Sequence, residues 1–152
     1  MSSVKTTADE FRFRIEKGDA ELVGAGLWLD PHHPRELAFI SHAHADHFAP
    51  HGKTICSTAT RLLIESRFQN RGNEFLSLDF GERLTQEGYE IELLPAGHIP
   101  GSAMLFLTRL EDGATLLHTG DFKTRPAFGA ESNIARRADW LIMETTLSLI
   151  HI

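Results

Sequence analysis

The first readable pattern in the chain is Phe11-Arg12-Phe13-Arg14-Ile15-Glu16, where apolar and charged residues alternate with the period of a strand that buries one face. Gly18-Asp19 follows as a turn. Leu22 to Asp30 reads as a second strand, weakened by glycines and ended by Asp30-Pro31. Leu37-Ala38-Phe39-Ile40 is short and wholly apolar, the signature of a strand covered on both faces. Thr54-Ile55-Cys56 is a further strand-like stretch. Ser57 to Thr60 offers caps for a helix of about ten residues running to Gln69. Its apolar face is expected to carry Leu62, Leu63 and Phe68, and Asn70 to Asn73 breaks it. Four more strands are predicted at 75–78, 89–94, 104–107 and 114–117, separated by turns such as Glu111-Asp112-Gly113. Asp139 to Met143 predicts a last buried strand. Strands outnumber helices, and no internal repeat or low-complexity linker interrupts them.

Composition narrows the class. The 152 residues, 41% hydrophobic and 24% charged, suit one globular domain. The longest apolar run, Ala103 to Leu107, is far short of the ~20 residues that cross a bilayer. No apolar segment stands behind Lys5 as in a secretory signal, so a cytoplasmic protein without a membrane partner is expected. The single cysteine, Cys56, excludes an internal disulfide and a multi-cysteine zinc knuckle, and is expected as a buried structural thiol. With a net charge of −6 and no basic run, the overall field announces no nucleic-acid partner. An argument for one has to come from a site.

Nine histidines supply that site, and four of them, His42, His44, His47 and His51, fall within ten residues. His42-Ala43-His44-Ala45-Asp46-His47 begins two residues beyond the end of a buried strand. Zinc takes imidazole nitrogen and carboxylate oxygen, and a stiff strand end running into a loop can turn successive side chains toward one point. The small alanines let the backbone come close. Two metal shells need more donors, which are expected at other strand ends. Gly97-His98 and Thr119-Gly120-Asp121 each follow such an end. Alone, His98 reads as structural and Asp121 as a turn residue; beside the cluster both become candidate ligands.

In order and spacing, His42-x-His44-x-Asp46-His47, Gly97-His98 and Thr119-Gly120-Asp121 resemble the ligand series of the metallo-β-lactamase fold hydrolases. Asp30 is similar to the structural aspartate that precedes the histidine motif there. Three segments resemble one branch, the metallo-β-CASP nucleases of RNA processing and DNA repair: residues 96–103, His118-Thr119-Gly120-Asp121-Phe122-Lys123, and Asp139 to Thr146 with Glu144 at the branch's motif A. The resemblance covers roughly residues 11 to 146. It implies an α/β (α+β) fold, the first half of an αββα sandwich with a mixed β-sheet and flanking helices. It also implies two Zn2+ ions, with His42, His44 and His98 on one, Asp46 and His47 on the other, and Asp121 bridging; manganese or iron also suits a site with two carboxylates. Asp46 would orient the attacking water, and Glu144 would hold a neighbouring catalytic histidine. The implied reaction is hydrolysis of a phosphodiester in RNA or DNA, from an end or internally, since paired ions generate hydroxide at neutral pH and clamp an in-line displacement. Competing readings are a thioesterase- or lactonase-like hydrolase on the same scaffold and a non-catalytic scaffold paralogue.

The chain holds only the first of the family's two halves, so residues 1–146 are expected as an incomplete domain lacking the second half and the β-CASP cap. Such a piece would be poorly soluble and inactive by itself. Residues 147–152, Leu-Ser-Leu-Ile-His-Ile, depart from the family's continuation and match the peptide that a transposase mosaic-end adapter encodes, so a non-native tail is expected there. His32, His33 and His51 are expected in solvated turns, and His151 has no role.

Overall fold

The computed structural model describes residues 10–45, 48–68 and 73–143. Two sheets pack face to face. The first runs in chain order: β1 (Phe13–Glu16), β2 (Asp19–Leu22), β3 (Leu27–Leu29), β4 (Leu37–Phe39), β5 (Lys53–Ser57) and β6 (Glu74–Leu78). Its first three strands are antiparallel, and β3 through β6 are parallel. Helix α1 (Thr58–Arg67) makes the crossover from β5 to β6. The second sheet contains β7 (Arg83–Gln86), β8 (Tyr89–Pro95), β9 (Ala103–Arg109), β10 (Thr115–His118) and β11 (Trp140–Ile142), ordered β11-β10-β9-β8-β7. There only β10 and β11 are parallel. The architecture is thus the expected mixed α+β class, with two sheets and, among the described residues, one helix of the expected flanking set. That helix is not long and apolar enough to cross a membrane.

Alternation along the strands explains why the central ones carry apolar residues at consecutive positions. On β5, Ile55 joins the core between the sheets while Cys56 faces Ile40 and Ile64 under α1. On β9, Leu105 and Leu107 enter the same inter-sheet core, and Met104 and Phe106 pack with Leu94 and Leu117 on the opposite face. Each such strand therefore needs hydrophobic side chains at consecutive positions. Burial pushes the Cys56 thiol up to about 12, which suits an inert structural residue.

The structure corrects several expectations. β1 is an edge strand with all four residues exposed, and Ile15 is two-thirds exposed; only Phe11, before the strand, is buried. The stretch predicted as one strand from Leu22 to Asp30 is the end of β2, a short 3-10 turn at Val23–Ala25 and then β3. On α1, capped by Ser57, the buried residues are Thr60 and Ile64, and Leu62 faces solvent. β7 lay unread in the sequence although Glu87-Gly88 closes it onto β8 as a two-residue hairpin. β11 was expected buried, but Trp140 and Leu141 are exposed because it lies at the sheet's edge. His51 is buried, its Nδ1 accepting the Arg35 N–H at 3.2 Å; His32 and His33 are exposed as expected.

One buried carboxylate ties β2 to the segment before β4. Asp19 accepts the backbone N–H of His32 and His33 and both Nε and Nη2 of Arg35, at 2.8 to 3.3 Å. Arg35 lies 3.6 Å over the Trp28 ring and reaches Glu16 at 2.8 Å. Burial would raise the Asp19 carboxyl, but these hydrogen bonds outweigh it and hold it below the usual range. Because the folded-state value is depressed, this stabilisation is complete above the ordinary carboxylate range and is lost as the pH falls through the folded value. Asp19→Ala should cost about 3 kcal/mol at neutral pH by leaving part of a buried ion pair unmatched. Below about pH 4 its melting temperature should fall less steeply than that of the wild type, a difference that thermal unfolding across a pH series measures.

Candidate metal centre

Three strand ends meet at one edge of the sandwich. β4 runs out through Ile40 and Ser41 to His42 and His44; β8 through Ala96 and Gly97 to His98; β10 through Thr119 and Gly120 to Asp121. The first belongs to one sheet and the other two to its partner. Asp30, just past β3, joins them: its Oδ1 accepts the Ser41 N–H at 2.7 Å, and its Oδ2 lies 3.0 Å from His118 Nε2. Asp30 adopts a left-handed backbone, φ 43°, to do so.

One donor atom from each of His42, His44, His98 and Asp121 lies within 4.8 Å of all the others. His42 Nε2 is 2.9 Å from His44 Nδ1, and Asp121 Oδ2 is 3.7 Å from both His42 Nε2 and His98 Nε2. The imidazole rings stand at 85°, 88° and 87° to one another, with centroids 4.5 to 5.2 Å apart. Bonds of 2.0–2.1 Å in a tetrahedron place donors ~3.4 Å apart, so this set fits a borderline-soft ion such as zinc. Ser41 Oγ sits 2.9 Å from His42 Nδ1 and fixes that buried ring with Nε2 toward the site, the support that ligating imidazoles need.

The His98 turn is fastened from two sides. Ser102 Oγ accepts the N–H of His98 and of Ile99, at 3.0 and 3.2 Å. The Gly101 carbonyl accepts Ser57 Oγ at 2.6 Å and Thr60 Oγ1 at 3.1 Å, so the start of α1 holds the turn that presents His98. Ser41, Ser102 and His118 were not picked out as supports in the sequence, since a serine beside a ligand carries no local signal of its own. Of the residues expected at the site, His42, His44, His98 and Asp121 are brought together. Asp46, His47 and Glu144 lie outside the described residues, as do residues 147–152.

No protein-family profile matches the chain. It is 44% identical over 128 residues to a protein of Opitutus terrae named "Probable DNA ligase", covering 83% of this chain and 12% of that one. It is 34% identical over 119 residues to the chicken protein named "5' exonuclease Apollo", covering 72% of this chain and 25% of the relative. A solved structure of the Cronobacter sakazakii metallo-β-lactamase with the HARLDQ motif superposes with a TM-score of 0.50, at 15% identity, over 75% of this chain and 64% of that one. The chain belongs to the metallo-β-lactamase fold family, in its metallo-β-CASP branch. Within that branch it spans only about an eighth of the first relative and a quarter of the second.

Gly120 sits where this site has little room. Its φ is +50°, and a Cβ there would come 2.6 Å from Ser41 Cβ and 2.7 Å from Ser41 Oγ. Gly120→Ala should therefore destabilise the protein by about 1–3 kcal/mol and push Ser41 off His42. The expected readout is a weaker zinc affinity in a competition titration with a chromogenic chelator, together with a lower melting temperature.

Proposed function

We propose that this chain carries the metal-binding front of a DNA phosphodiesterase that trims strand ends. The observation that supports it most is the convergence of His42, His44, His98 and Asp121 at 4.8 Å or less. His42, His44, His98 and Asp121 would hold one ion, Asp46 and His47 are assigned to a second, and such ions would supply a Lewis acid for a phosphate oxygen and a low-pKa water. The protein's own part is orientation. Ser41 aims His42, Asp30 and His118 fix the two strand ends, and Ser102 shapes the His98 turn. Asp46 is the residue assigned to align the attacking water, and Glu144 the one assigned to hold a further histidine.

DNA is favoured over RNA by the relative named a DNA ligase, and end trimming by the one named a 5′ exonuclease. A nuclease and a ligase act on the same strand ends, one exposing a clean terminus and the other joining it. The thioesterase-like alternative finds no support among these names, and the scaffold alternative fits poorly with a donor set in which each described position is filled. The net charge of −6 is no obstacle, because bound divalent cations set the local field.

The test uses the complete natural protein loaded with zinc or manganese and a 5′-labelled single-stranded DNA. Shortening of the strand, its abolition by chelation, and its loss to the metal-free level in His98→Ala and Asp121→Ala are the expected outcomes. Hydrolysis of a thioester with DNA left intact would overturn the assignment.

A further inference from the structure

Between Asp121 and the β11 strand the chain makes an excursion whose two feet meet at a single atom. The Ala96 carbonyl accepts the Lys123 N–H at 2.9 Å and Asn133 Nδ2 at 3.0 Å. The second foot is fastened again by Ile134 N–H to the Pro95 carbonyl at 3.1 Å and by Glu131 Oε2 to the Gly101 N–H at 2.9 Å. Beyond it, Arg136 forks onto Glu92 at 2.7 and 2.8 Å and covers Phe106. Gly97 lies in the neck: with φ +79°, a Cβ there would be 2.5 Å from the Lys123 carbonyl oxygen. The feet thus stand on the turn that presents His98, and the loop they close is a compact one of the Ω kind.

At its tip a turn closes from the Ala130 N–H to the Ala127 carbonyl, with Phe128 and Gly129 as the central pair. Phe128 is wholly exposed, at 110% of the reference value. Residues 122–130 contain two cations, Lys123 and Arg125, and no carboxylate. Both cations are exposed, and neither has an ion pair among the described residues. An exposed aromatic beside unmatched cations, on a loop tied to a candidate phosphodiester site, has the chemistry of a single-strand contact: the ring offers a stacking face and the cations meet phosphates. Phe128 stands seven positions after Asp121, so their Cα atoms lie at most about 25 Å apart.

We propose that residues 123–129 form a nucleic-acid contact in which Phe128 stacks on a base of the strand entering the metal site, while Lys123 and Arg125 neutralise flanking phosphates. This rests on the phosphodiesterase reading for the identity of the partner, and its test is separable from that reading.

In the complete metal-loaded protein, Phe128→Ala should raise KM for a single-stranded oligonucleotide about 5- to 150-fold, the range of one lost base stack. Kinetics on bis(p-nitrophenyl) phosphate, a diester too small to reach the loop, should be unchanged, and Phe128→Trp should keep the wild-type KM. With metal removed by chelator, fluorescence anisotropy of the labelled oligonucleotide should show the same loss of affinity in Phe128→Ala. Arg125→Gln should lower the slope of log affinity against log salt by about 1. A Phe128-dependent affinity in a protein that hydrolyses no DNA would uphold the contact and reject the phosphodiesterase reading. Unchanged KM and affinity, or an equal drop on both substrates with a lowered melting temperature, would overturn the contact and mark Phe128 as a packing residue.

Discussion

The carboxylate of Asp30 is the joint on which the site depends. One oxygen takes the N–H of Ser41 at the end of β4, and the other faces His118 at the end of β10. Those ends lie in different sheets, which meet mainly through side-chain packing, with the Ser41 carbonyl accepting the Ala103 N–H across the layers at 2.8 Å. Hydrophobic contact between Phe39, Ile55, Leu93 and Leu105 holds the layers together but is non-directional. Asp30 adds direction. It brings His42 and His44 from one layer to the distance at which His98 and Asp121 from the other can share an ion.

Around that joint, support comes in short local devices. Ser41 and Ser102 each serve the ligand nearest to them, and the N-terminal residues of α1 reach across to the carbonyl of Gly101. The 123–133 excursion uses the same supports, since its feet are fastened at Ala96 and Gly101 on either side of His98. Ligand turn and surface loop are therefore one mechanical unit.

What could be read from the sequence was whatever depends on near neighbours. The wholly apolar β4 announces a strand covered on both sides, Ser57 announces a helix cap, and the histidine run announces donors by density alone. His98 and Asp121 are weaker signals that gain meaning only beside the run and from the family resemblance. Burial at the margins was not legible. The alternating Phe13 and Ile15 look half-buried in sequence yet lie on an uncovered edge, as do Trp140 and Leu141. His51 looks like a solvated turn residue but is enclosed by the Arg35 segment. In each case the deciding partner sits on another strand, and sheet order is not a local property. The division into two sheets escaped for the same reason, as did Phe128, whose exposure follows from where the loop's feet are pinned.

The split origin of the donors has a consequence for folding itself. An ion gripped by ligands of both layers is a cross-link between them, and its binding free energy is added to the cohesion of the sandwich as RT ln(1 + [L]/Kd). The supply of metal would then set how firmly the two layers are clasped as well as what the site can do. A cell short of the ion would be left with sheets freer to slide at the very edge where they must align.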